Sequence, residues 1–483
     1  LTGASQLSSS LFLDEPTIGV MNRIGLEFNA VGNHEFDRGA AELQRLQFGG
    51  CEQYFTRTPC AVEPAFGGAR FTYLAANVEQ LDGTTLFPGS ALRHFGNGRG
   101  RVAIGLIGLT LKETPSIVSA GGVEGLTFTD EAETINAAAS TLKLAGADAV
   151  VVLVHQGVAI GGERDPNGCE DAAGPMLEIV SKLDPAIDLV VSGHTHQAYI
   201  CELPGSDGQK LILLTSAGSY GTMLTDIRMT VDPEANRVTA LEARNAPVQS
   251  LAFGTVAQSF AAPIIEPRAD IADYVATYVA AAAEFSERPV GRLAPLADSG
   301  STSRAPTGQL IADAQVAATS EAGAQFSLMN PGGVRNTLQP AADGSLTFGD
   351  LYAVQPFGND LVTLTLSGAQ LIALLESQFT REDGRNLVLF PSAGFSYEYD
   401  LSKPAGSRVA KLTLDGVPVD PARDYRLTVN SFLAEGGDGF PIFKEGRDRA
   451  VGPGDLDALE AWLSGEALRA LPVEFRARDV TPE

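Results

Sequence analysis

The chain has 483 residues, which is too long for one compact domain and predicts two or three domains. Hydrophobic residues make up 44 % and charged residues 19 %, so a large core is possible and extensive disorder is excluded. The formal net charge of −25 argues against nucleic-acid polymers and anionic membranes as partners, although a small anionic ligand, which responds to local charge, remains compatible.

The start of the sequence indicates processing. The chain begins at Leu1 and its first methionine is Met21, so we expect a processed or trimmed chain. No apolar run in the sequence approaches the roughly 20 residues of a membrane helix, so we expect no transmembrane segment.

The first half alternates short β-rich apolar runs with helical patterns, which predicts an α/β architecture around a buried sheet. The predicted strands are Leu26–Val31, Val102–Leu109, Ala149–Val154 and Ile187–Val191. The predicted helices between them include Asp130–Leu144 and Pro175–Leu183. Gly/Pro/Cys-rich stretches at 49–68 and 161–174 predict long surface loops.

An Ala-rich amphipathic stretch, Asp270–Glu287, predicts a helix that connects two domains and ends before Pro289. The remainder mixes both element types. Its predicted helices and strands are Thr307–Thr319, Gly368–Phe379, Ser396–Tyr399 and Arg426–Val429. We therefore expect an N-terminal domain over 1–258, a linker helix within 259–289 and a C-terminal domain over 290–483.

The four cysteines contain no CxxC pair, which argues against a structural zinc site. An even number suggests disulfides and an oxidising compartment, and three connectivities are possible. We favour Cys51–Cys60 and Cys169–Cys201; the alternative is four buried thiols in a cytosolic protein.

Three of the predicted strands are followed by His or Asn residues. Asn33 and His34 follow the first strand, His155 another, and His194 and His196 a third. Ligands of open α/β sheets gather at the carboxyl ends of the strands, so these side chains should meet at one rim. His and Asn without thiolates suit Zn, Mn, Fe, Co or Mg, whereas any one of these histidines alone is more simply structural. His94 lacks this context and is expected to be a surface or packing residue.

Several motifs carry a family resemblance. They are Gly32–Asp37 (GNHEFD), Gly193–His196 (GHTH), Asn330–Arg335 (NPGGVR), Gln355–Asn359 (QPFGN) and Phe432–Phe440 (FLAEGGDGF). The first two resemble calcineurin-like metallophosphoesterases. All five together, in this order, resemble the 5′-nucleotidase family, which includes bacterial periplasmic 5′-nucleotidase/UDP-sugar hydrolases and 2′,3′-cyclic-nucleotide phosphodiesterases. The resemblance covers nearly the whole chain.

The resemblance implies an α/β fold: a metallophosphoesterase β-sandwich with flanking helices, a linker helix and a smaller α+β substrate-binding domain. It also implies two divalent metal ions, with Zn, Mn, Mg and Co as candidates. Asn33, His155 and His194 would bind one ion and His196 the other. His34 would stabilise charge at the phosphate and assist the leaving oxygen, with Asp37 orienting it.

For the C-terminal domain, the resemblance implies a nucleotide pocket. Phe357 and Phe432 would sandwich the base, and Arg335 would bind phosphate or carboxylate. The remaining pocket residues would be Asn330 and Gly333, near the base and ribose, and Asp438, which would accept from the ribose hydroxyls. Considered without the resemblance, the two phenylalanines are equally compatible with a core, Arg335 with a solvated charge, and the glycine-rich run with a plain turn.

Two family motifs, an Asp-x-His and a Gly-Asp, have no match in this sequence, so we expect an N-terminally truncated chain that binds metal poorly by itself. Arg304 lies in a serine-rich stretch where the family carries a further arginine, but its alignment is open. We predict a periplasmic or extracellular hydrolase that converts nucleoside 5′-monophosphates to nucleoside and phosphate. The alternatives are 2′,3′-cyclic-nucleotide or UDP-sugar hydrolysis, a non-catalytic nucleotide-binding homologue, and, less favoured, an acidic interaction protein.

Overall fold

The computed structural model describes residues 1–55, 57–161, 165–248, 265–294, 303–380, 386–464 and 468–482. The helices are α1 (Leu7–Ser10), α2 (Glu15–Ile24), α3 (Ala40–Phe48), α4 (Thr114–Ile117), α5 (Glu131–Leu144), α6 (Pro175–Ser181), α7 (Ala269–Ser286), α8 (Ala305–Ala318), α9 (Phe348–Val354), α10 (Gly368–Ser377), α11 (Ser431–Ala434) and α12 (Asp455–Leu463). Among the helices in these ranges, none combines the length and apolarity that a membrane span requires.

The strands fall into two groups on either side of α7. Before it lie β1 (Phe28–Ala30), β2 (Thr72–Leu74), β3 (Val78–Gln80), β4 (Ser90–Phe95), β5 (Val102–Thr110), β6 (Leu126–Phe128), β7 (Ala149–His155), β8 (Leu189–Val191), β9 (Ala198–Pro204), β10 (Leu211–Ala217), β11 (Met223–Asp232) and β12 (Arg237–Pro247). After it lie β13 (Pro289–Arg292), β14 (Phe326–Met329), β15 (Ser345–Thr347), β16 (Asp360–Ser367), β17 (Phe390–Pro391), β18 (Phe395–Tyr399), β19 (Val409–Leu414), β20 (Val417–Pro418), β21 (Asp424–Asn430), β22 (Arg447–Gly454) and β23 (Ala477–Asp479).

The N-terminal part is built on a six-stranded sheet of order β4-β5-β7-β8-β10-β9. Strands β5, β7, β8 and β10 are parallel, and the two edge strands are antiparallel to their neighbours. Helices α5 and α6 cover one face of the sheet. The β11–β12 hairpin covers the other through Ile227, Met229, Leu241 and Ala243. Burial on both faces explains why β7 is a nearly continuous valine run.

Local signals set several of the predicted boundaries. Helix α5 begins after Asp130, whose side chain accepts from Glu133 N at 3.1 Å and caps the helix. The predicted strands within the sheet are confirmed to within two residues. The first predicted strand is confirmed as β1, but it pairs in parallel with β2 rather than within the six-stranded sheet, and it packs against β5 and β7.

Both favoured disulfides are present. Cys51 is bonded to Cys60 and Cys169 to Cys201, and the structure contains no free cysteine among its described residues. The Cys169–Cys201 bond ties the loop before α6 to β9. The alternative of four buried thiols is therefore wrong.

Helix α7 confirms the helix predicted over Asp270–Glu287 to within one residue at each end, while its role as a connection between two domains stays a prediction. Two of its tyrosines donate to one carboxylate of the N-terminal part, Tyr274 to Glu63 at 3.1 Å and Tyr278 to Glu63 at 2.9 Å. The guanidinium of Arg23 lies 3.5 Å from the centroid of the Tyr274 ring. The helix is thereby fixed to the N-terminal part by polar and cation–π contacts on one face.

The C-terminal part contains both helices and strands. It contains a five-stranded sheet of order β17-β14-β21-β16-β22 and a four-stranded sheet of order β20-β19-β18-β23. Their shared core includes the stacked rings of Phe326 and Phe395, 4.0 Å apart. The mixed α/β class is confirmed, whereas the domain boundaries at residues 258 and 289 stay a prediction.

Candidate phosphoester site

The predicted rim of histidines exists and is centred on Asn33, His155 and His194. Asn33 starts a 3₁₀ turn after β1, His155 is the last residue of β7, and His194 follows β8. Asn33 Oδ1 lies 2.9 Å from His155 Nε2. The rings of His155 and His194 meet edge to face with centroids 5.2 Å apart. Residues distant in sequence therefore share one edge, although their strands belong to two sheets.

Glycines make this approach possible. A Cβ atom at Gly32 would lie only 2.8 Å from His155 Nδ1 and 2.9 Å from Glu35 Oε2. The buried Glu35 carboxylate accepts from Gly32 N at 2.8 Å, which fixes the turn that presents Asn33. Any larger residue at position 32 would push the His155 ring away from Asn33.

The donor set fits one divalent ion. Burial, followed by the neighbouring His194, lowers the pKa of His155 well below its usual value, which favours the neutral imidazole that binds metal. Two ligand atoms about 2.1 Å from one ion, at right angles, lie about 3 Å apart. In this structure Asn33 Oδ1 accepts a hydrogen bond from His155 Nε2 at 2.9 Å, so a bound ion would replace the Nε2 proton between these two atoms.

A complete two-ion site is not formed by the described residues. Among them, no group of three or more His, Cys, Asp or Glu side chains is arranged to hold a metal ion. The third donor beside His155 and His194 is the Asn33 amide. The described part of the chain thus provides one set of nitrogen and oxygen donors, and no cluster that adds a carboxylate to the two histidines is found among these residues.

His196, two residues after His194, contacts an aromatic residue of the turn before β11. Its ring contacts Tyr220 edge to face with centroids 5.8 Å apart. Partial desolvation, together with the nearby charges of Arg335 and His34, lowers the pKa of His196 to about 4. His196 is therefore neutral at pH 7 and electrostatically coupled to the C-terminal part of the chain.

His34 links the two parts directly. Arg335 Nη2 lies 2.7 Å from His34 Nε2, and His34 Nδ1 lies 2.9 Å from Asp37 Oδ2. A guanidinium has only donors, so Nε2 must accept and the proton must be on Nδ1, where it is donated to Asp37. The contact is incompatible with Arg335 as a fully solvated surface charge. Burial lowers the pKa of Arg335 from its usual value.

The aromatic residues predicted to hold a base are half-buried and outside the main cores. Phe357 stacks on His34 with centroids 5.8 Å apart, and the Arg335 guanidinium lies 5.1 Å from its ring centroid. Phe432 packs on Gly437, where a Cβ would come within 2.6 Å of the ring. Phe357 therefore lies at the junction with the histidine cluster.

The predicted ribose-binding residues form a hydrogen-bonded chain. Asn330 donates to Asp438 Oδ2 at 2.7 Å and accepts from Asn430 Nδ2 at 2.9 Å. Gly333 is required by close packing, since a Cβ there would lie 2.7 Å from Asn330 Oδ1. Asp438 adopts a left-handed φ of 54° within its glycine-rich loop, a conformation that Asp tolerates in turns, and its carboxylate ties the loop to Asn330.

Sequence reasoning missed two residues at this site and left a third open. Tyr220 beside His196 has no motif that would single it out. Asn430 ends β21, and only its contact with Asn330 shows its relevance. Arg304 precedes α8 and lies within electrostatic range of both His196 and Arg335. The sequence placed Arg304 before a helix but gave no information about its distance from the site.

Comparisons with known proteins agree with this geometry. A family profile described as "5'-nucleotidase, C-terminal domain" matches residues 285–445. The chain is 32 % identical to endonuclease YhcR of Bacillus subtilis, over 96 % of this chain and 35 % of that protein. It is 29 % identical to cell wall protein Lmo0130 of Listeria monocytogenes, over 92 % of this chain and 56 % of that protein.

The structure is also similar to a 5′-nucleotidase precursor from Thermus thermophilus, with a TM-score of 0.76 and 25 % identity. The match covers 99 % of this chain and 88 % of that one. The fold is thus that of two-domain 5′-nucleotidase/metallophosphoesterase structures. Over nearly its whole length the chain is similar to a 5′-nucleotidase precursor, and residues 285–445 match the C-terminal domain of the 5′-nucleotidase family. It spans between 35 % and 56 % of the length of the two relatives named above.

Proposed function

We propose that this protein hydrolyses nucleotide phosphoesters, with a nucleoside 5′-monophosphate giving nucleoside and phosphate as the main reaction. The observation that carries the proposal is the junction of His34 and Arg335 beside Asn33, His155 and His194. A phosphate ester at this junction would contact the Arg335 guanidinium and the Phe357 ring of the C-terminal part and the His34 imidazole of the N-terminal part.

Two divalent ions are proposed, of unassigned identity among Zn, Mn, Mg and Co. Asn33, His155 and His194 would hold one, and His196 would contribute to the other. Such ions activate the attacking water and neutralise charge on the phosphoryl oxygens when bound. The donor geometry supports one ion directly, while the second would need ligands beyond the described groups.

His34 and Asp37 are proposed to act on the leaving oxygen. Asp37 holds the Nδ1 proton, so Nε2 is the atom that faces Arg335 and the ester. When substrate separates Arg335 from His34, Nε2 becomes free to take a proton from water, and the resulting imidazolium, paired with Asp37, would donate that proton to the leaving alkoxide. Arg335 would then bind a phosphoryl oxygen with its planar donor group.

The nucleoside is proposed to lie in the C-terminal part. Phe357 and Phe432 would stack on the base, which tolerates any nucleobase. Asp438 would accept from the ribose hydroxyls, held by its bond from Asn330, and Gly333 leaves room for Asn330 to make that bond. Substrate selection would therefore depend on the nucleoside as well as the phosphate.

Related esters are the alternatives within this proposal. 2′,3′-Cyclic nucleotides and UDP-sugars would use the same phosphate and base groups. The similarity to a protein named an endonuclease makes a phosphodiester polymer a further substrate to test, although the net charge of −25 disfavours it.

A non-catalytic nucleotide-binding protein is the candidate from another class. It is favoured by the absence of a bridging carboxylate among the described metal donors. It would bind nucleotide without added metal and release no phosphate. We further propose a periplasmic or extracellular location, supported by the two disulfides.

The test measures phosphate release from AMP, conversion of 2′,3′-cyclic AMP to the nucleoside monophosphate, cleavage of UDP-glucose to UMP and glucose 1-phosphate, and fragmentation of single-stranded DNA. Mn²⁺ is added, and adenosine is the competitor. AMP should be hydrolysed fastest, and millimolar adenosine should inhibit. Metal-independent AMP binding without release from any substrate would replace the enzyme proposal by the binding proposal.

A further inference from the structure

Tyr220 is a solvent-exposed aromatic residue on the turn between β10 and β11. Its exposed fraction is 73 %. The turn is closed by Thr222 N, which donates to Ser219 O at 3.2 Å. Tyr220 and Gly221 both have positive φ, 58° and 68°. Positive φ at both central residues is the pattern of a type I′ turn.

Tyrosine is an unfavourable residue for this conformation. Positions of this kind favour Asn, Asp or Gly, because Cβ crowds the backbone when φ is positive. The same chain follows that preference in the two-residue turn between β19 and β20, where Asp415 and Gly416 have φ of 50° and 76°. Backbone strain of this type concentrates at functional sites. The strain at Tyr220 therefore suggests that the contacts of its side chain have a function.

The contacts of Tyr220 lie at the phosphate end of the proposed site. Its ring meets His196 edge to face, with centroids 5.8 Å apart. It also lies within electrostatic range of Arg335, which bonds to His34 at 2.7 Å. Tyr220 thus lies beside residues assigned to the phosphoryl group. Phe357 and Phe432, in contrast, are assigned to the base.

We propose that Tyr220 is a substrate-contacting residue whose hydroxyl donates a hydrogen bond to a phosphoryl oxygen held by Arg335. This inference rests on the proposed function and deepens it by adding a donor to the phosphate end. A phenol hydroxyl supplies a donor without further positive charge. The ring contacts His196 on one side, while most of its surface faces solvent.

The experiment uses Tyr220→Phe, which removes only the hydroxyl, and Tyr220→Gly, which also relieves the backbone strain. The substrates are AMP and p-nitrophenyl phosphate, a phosphomonoester without a nucleoside. Losing one hydrogen bond to a charged group should lower kcat/KM about 10-fold for both substrates in Tyr220→Phe. Tyr220→Gly should lose at least as much activity yet melt at an equal or higher temperature than the wild type.

Asp415→Gly is the matched control, because it changes the same kind of turn far from the site and should keep wild-type activity. Wild-type kcat/KM in Tyr220→Phe and Tyr220→Gly would overturn the proposal. A loss confined to AMP would also overturn it, since the contact would then be to the nucleoside.

Failure of the proposed function is distinguished by binding of inorganic phosphate, measured by calorimetry. If the wild type releases no phosphate from any ester, the enzymatic proposal fails. The Tyr220 proposal would then stand only if wild type binds phosphate and Tyr220→Phe binds it about 10-fold more weakly, with Arg335→Ala weaker still. Equal binding, or no binding by the wild type, would overturn it.

Discussion

Arg335 donates from Nη2 to His34 Nε2 at 2.7 Å, although 301 residues separate them in the chain. The bond joins the C-terminal part to the turn after β1, and Phe357 stacks on the same imidazole. A phosphoryl oxygen cannot lie between two atoms that are already in hydrogen-bond contact. Substrate must therefore replace this bond with one of its own to each partner.

Replacing Arg335 by lysine should lower kcat/KM for AMP by about 10- to 100-fold. Lysine keeps the charge but loses the planar fork, and charge-assisted hydrogen bonds contribute about 1.5 to 3 kcal/mol. Steady-state kinetics checks this. The control is Arg292→Lys, since Arg292 is exposed and donates to the Asp343 carbonyl away from the site. Equal effects of both substitutions would contradict the role assigned to Arg335.

Replacing Asp37 by asparagine should lower kcat by about 10²- to 10⁴-fold, with a smaller change in KM. An asparagine amide can donate to His34 Nδ1 and thereby favour the tautomer with a proton on Nε2, which faces the donors of Arg335. The exposed turn residue Asp82 provides the control Asp82→Asn. An unchanged kcat in Asp37→Asn would show that Asp37 does not set the tautomer.

Metal binding should depend on the histidines at the strand ends. Equilibrium dialysis against Mn²⁺ should give fewer than two tightly bound ions per chain, because the described residues provide donors for one. His194→Ala should abolish that binding, whereas His94→Ala, on edge strand β4, should leave it unchanged. Unchanged Mn²⁺ binding in His194→Ala would contradict the assignment of His194 as a ligand.

Asp455 should make stability pH-dependent. Burial, despite a bond from Asn359, raises the pKa of Asp455 from 3.8 to about 7. The folded state therefore holds this proton more tightly than the unfolded chain, and stability falls as pH rises from 3.8 through 7. The free energy of unfolding should fall by at most about 1.4 kcal/mol per pH unit and by about 4 kcal/mol in total.

Asp455→Asn removes the ionisable group. The free energy of unfolding of this variant, minus that of the wild type, should therefore increase between about pH 4 and 7 and stay constant above pH 7. Denaturant unfolding at several pH values measures this difference. Asp457→Asn, on the same helix, should show no such growth. A difference independent of pH would place the pKa of Asp455 near its ordinary value.

The sequence was sufficient for most elements because their signals are local. Asp130 caps α5, and Pro289 follows the Ala-rich α7, so both helices were predicted closely. The pairing of β1 with β2 was not predicted. A three-residue strand carries too little pattern to specify its partner, and the choice is made by tertiary packing against β5 and β7.

The site could be predicted as a set of residues but not as an arrangement. The motifs identified His34 and Arg335, yet nothing local shows that they touch. Tyr220 was missed because its signal is a positive φ, which sequence pattern does not report for tyrosine. Arg304 stayed open because the distance of a loop residue from a site depends on how the two parts pack.

The central claim is best tested by phosphate release from AMP with Mn²⁺, comparing wild type, His155→Ala and His94→Ala. We expect release by the wild type and His94→Ala, and loss in His155→Ala, because His155 holds the contact with Asn33 at 2.9 Å. Equal release by all three proteins would contradict the account, since phosphate would then be liberated without the strand-end cluster.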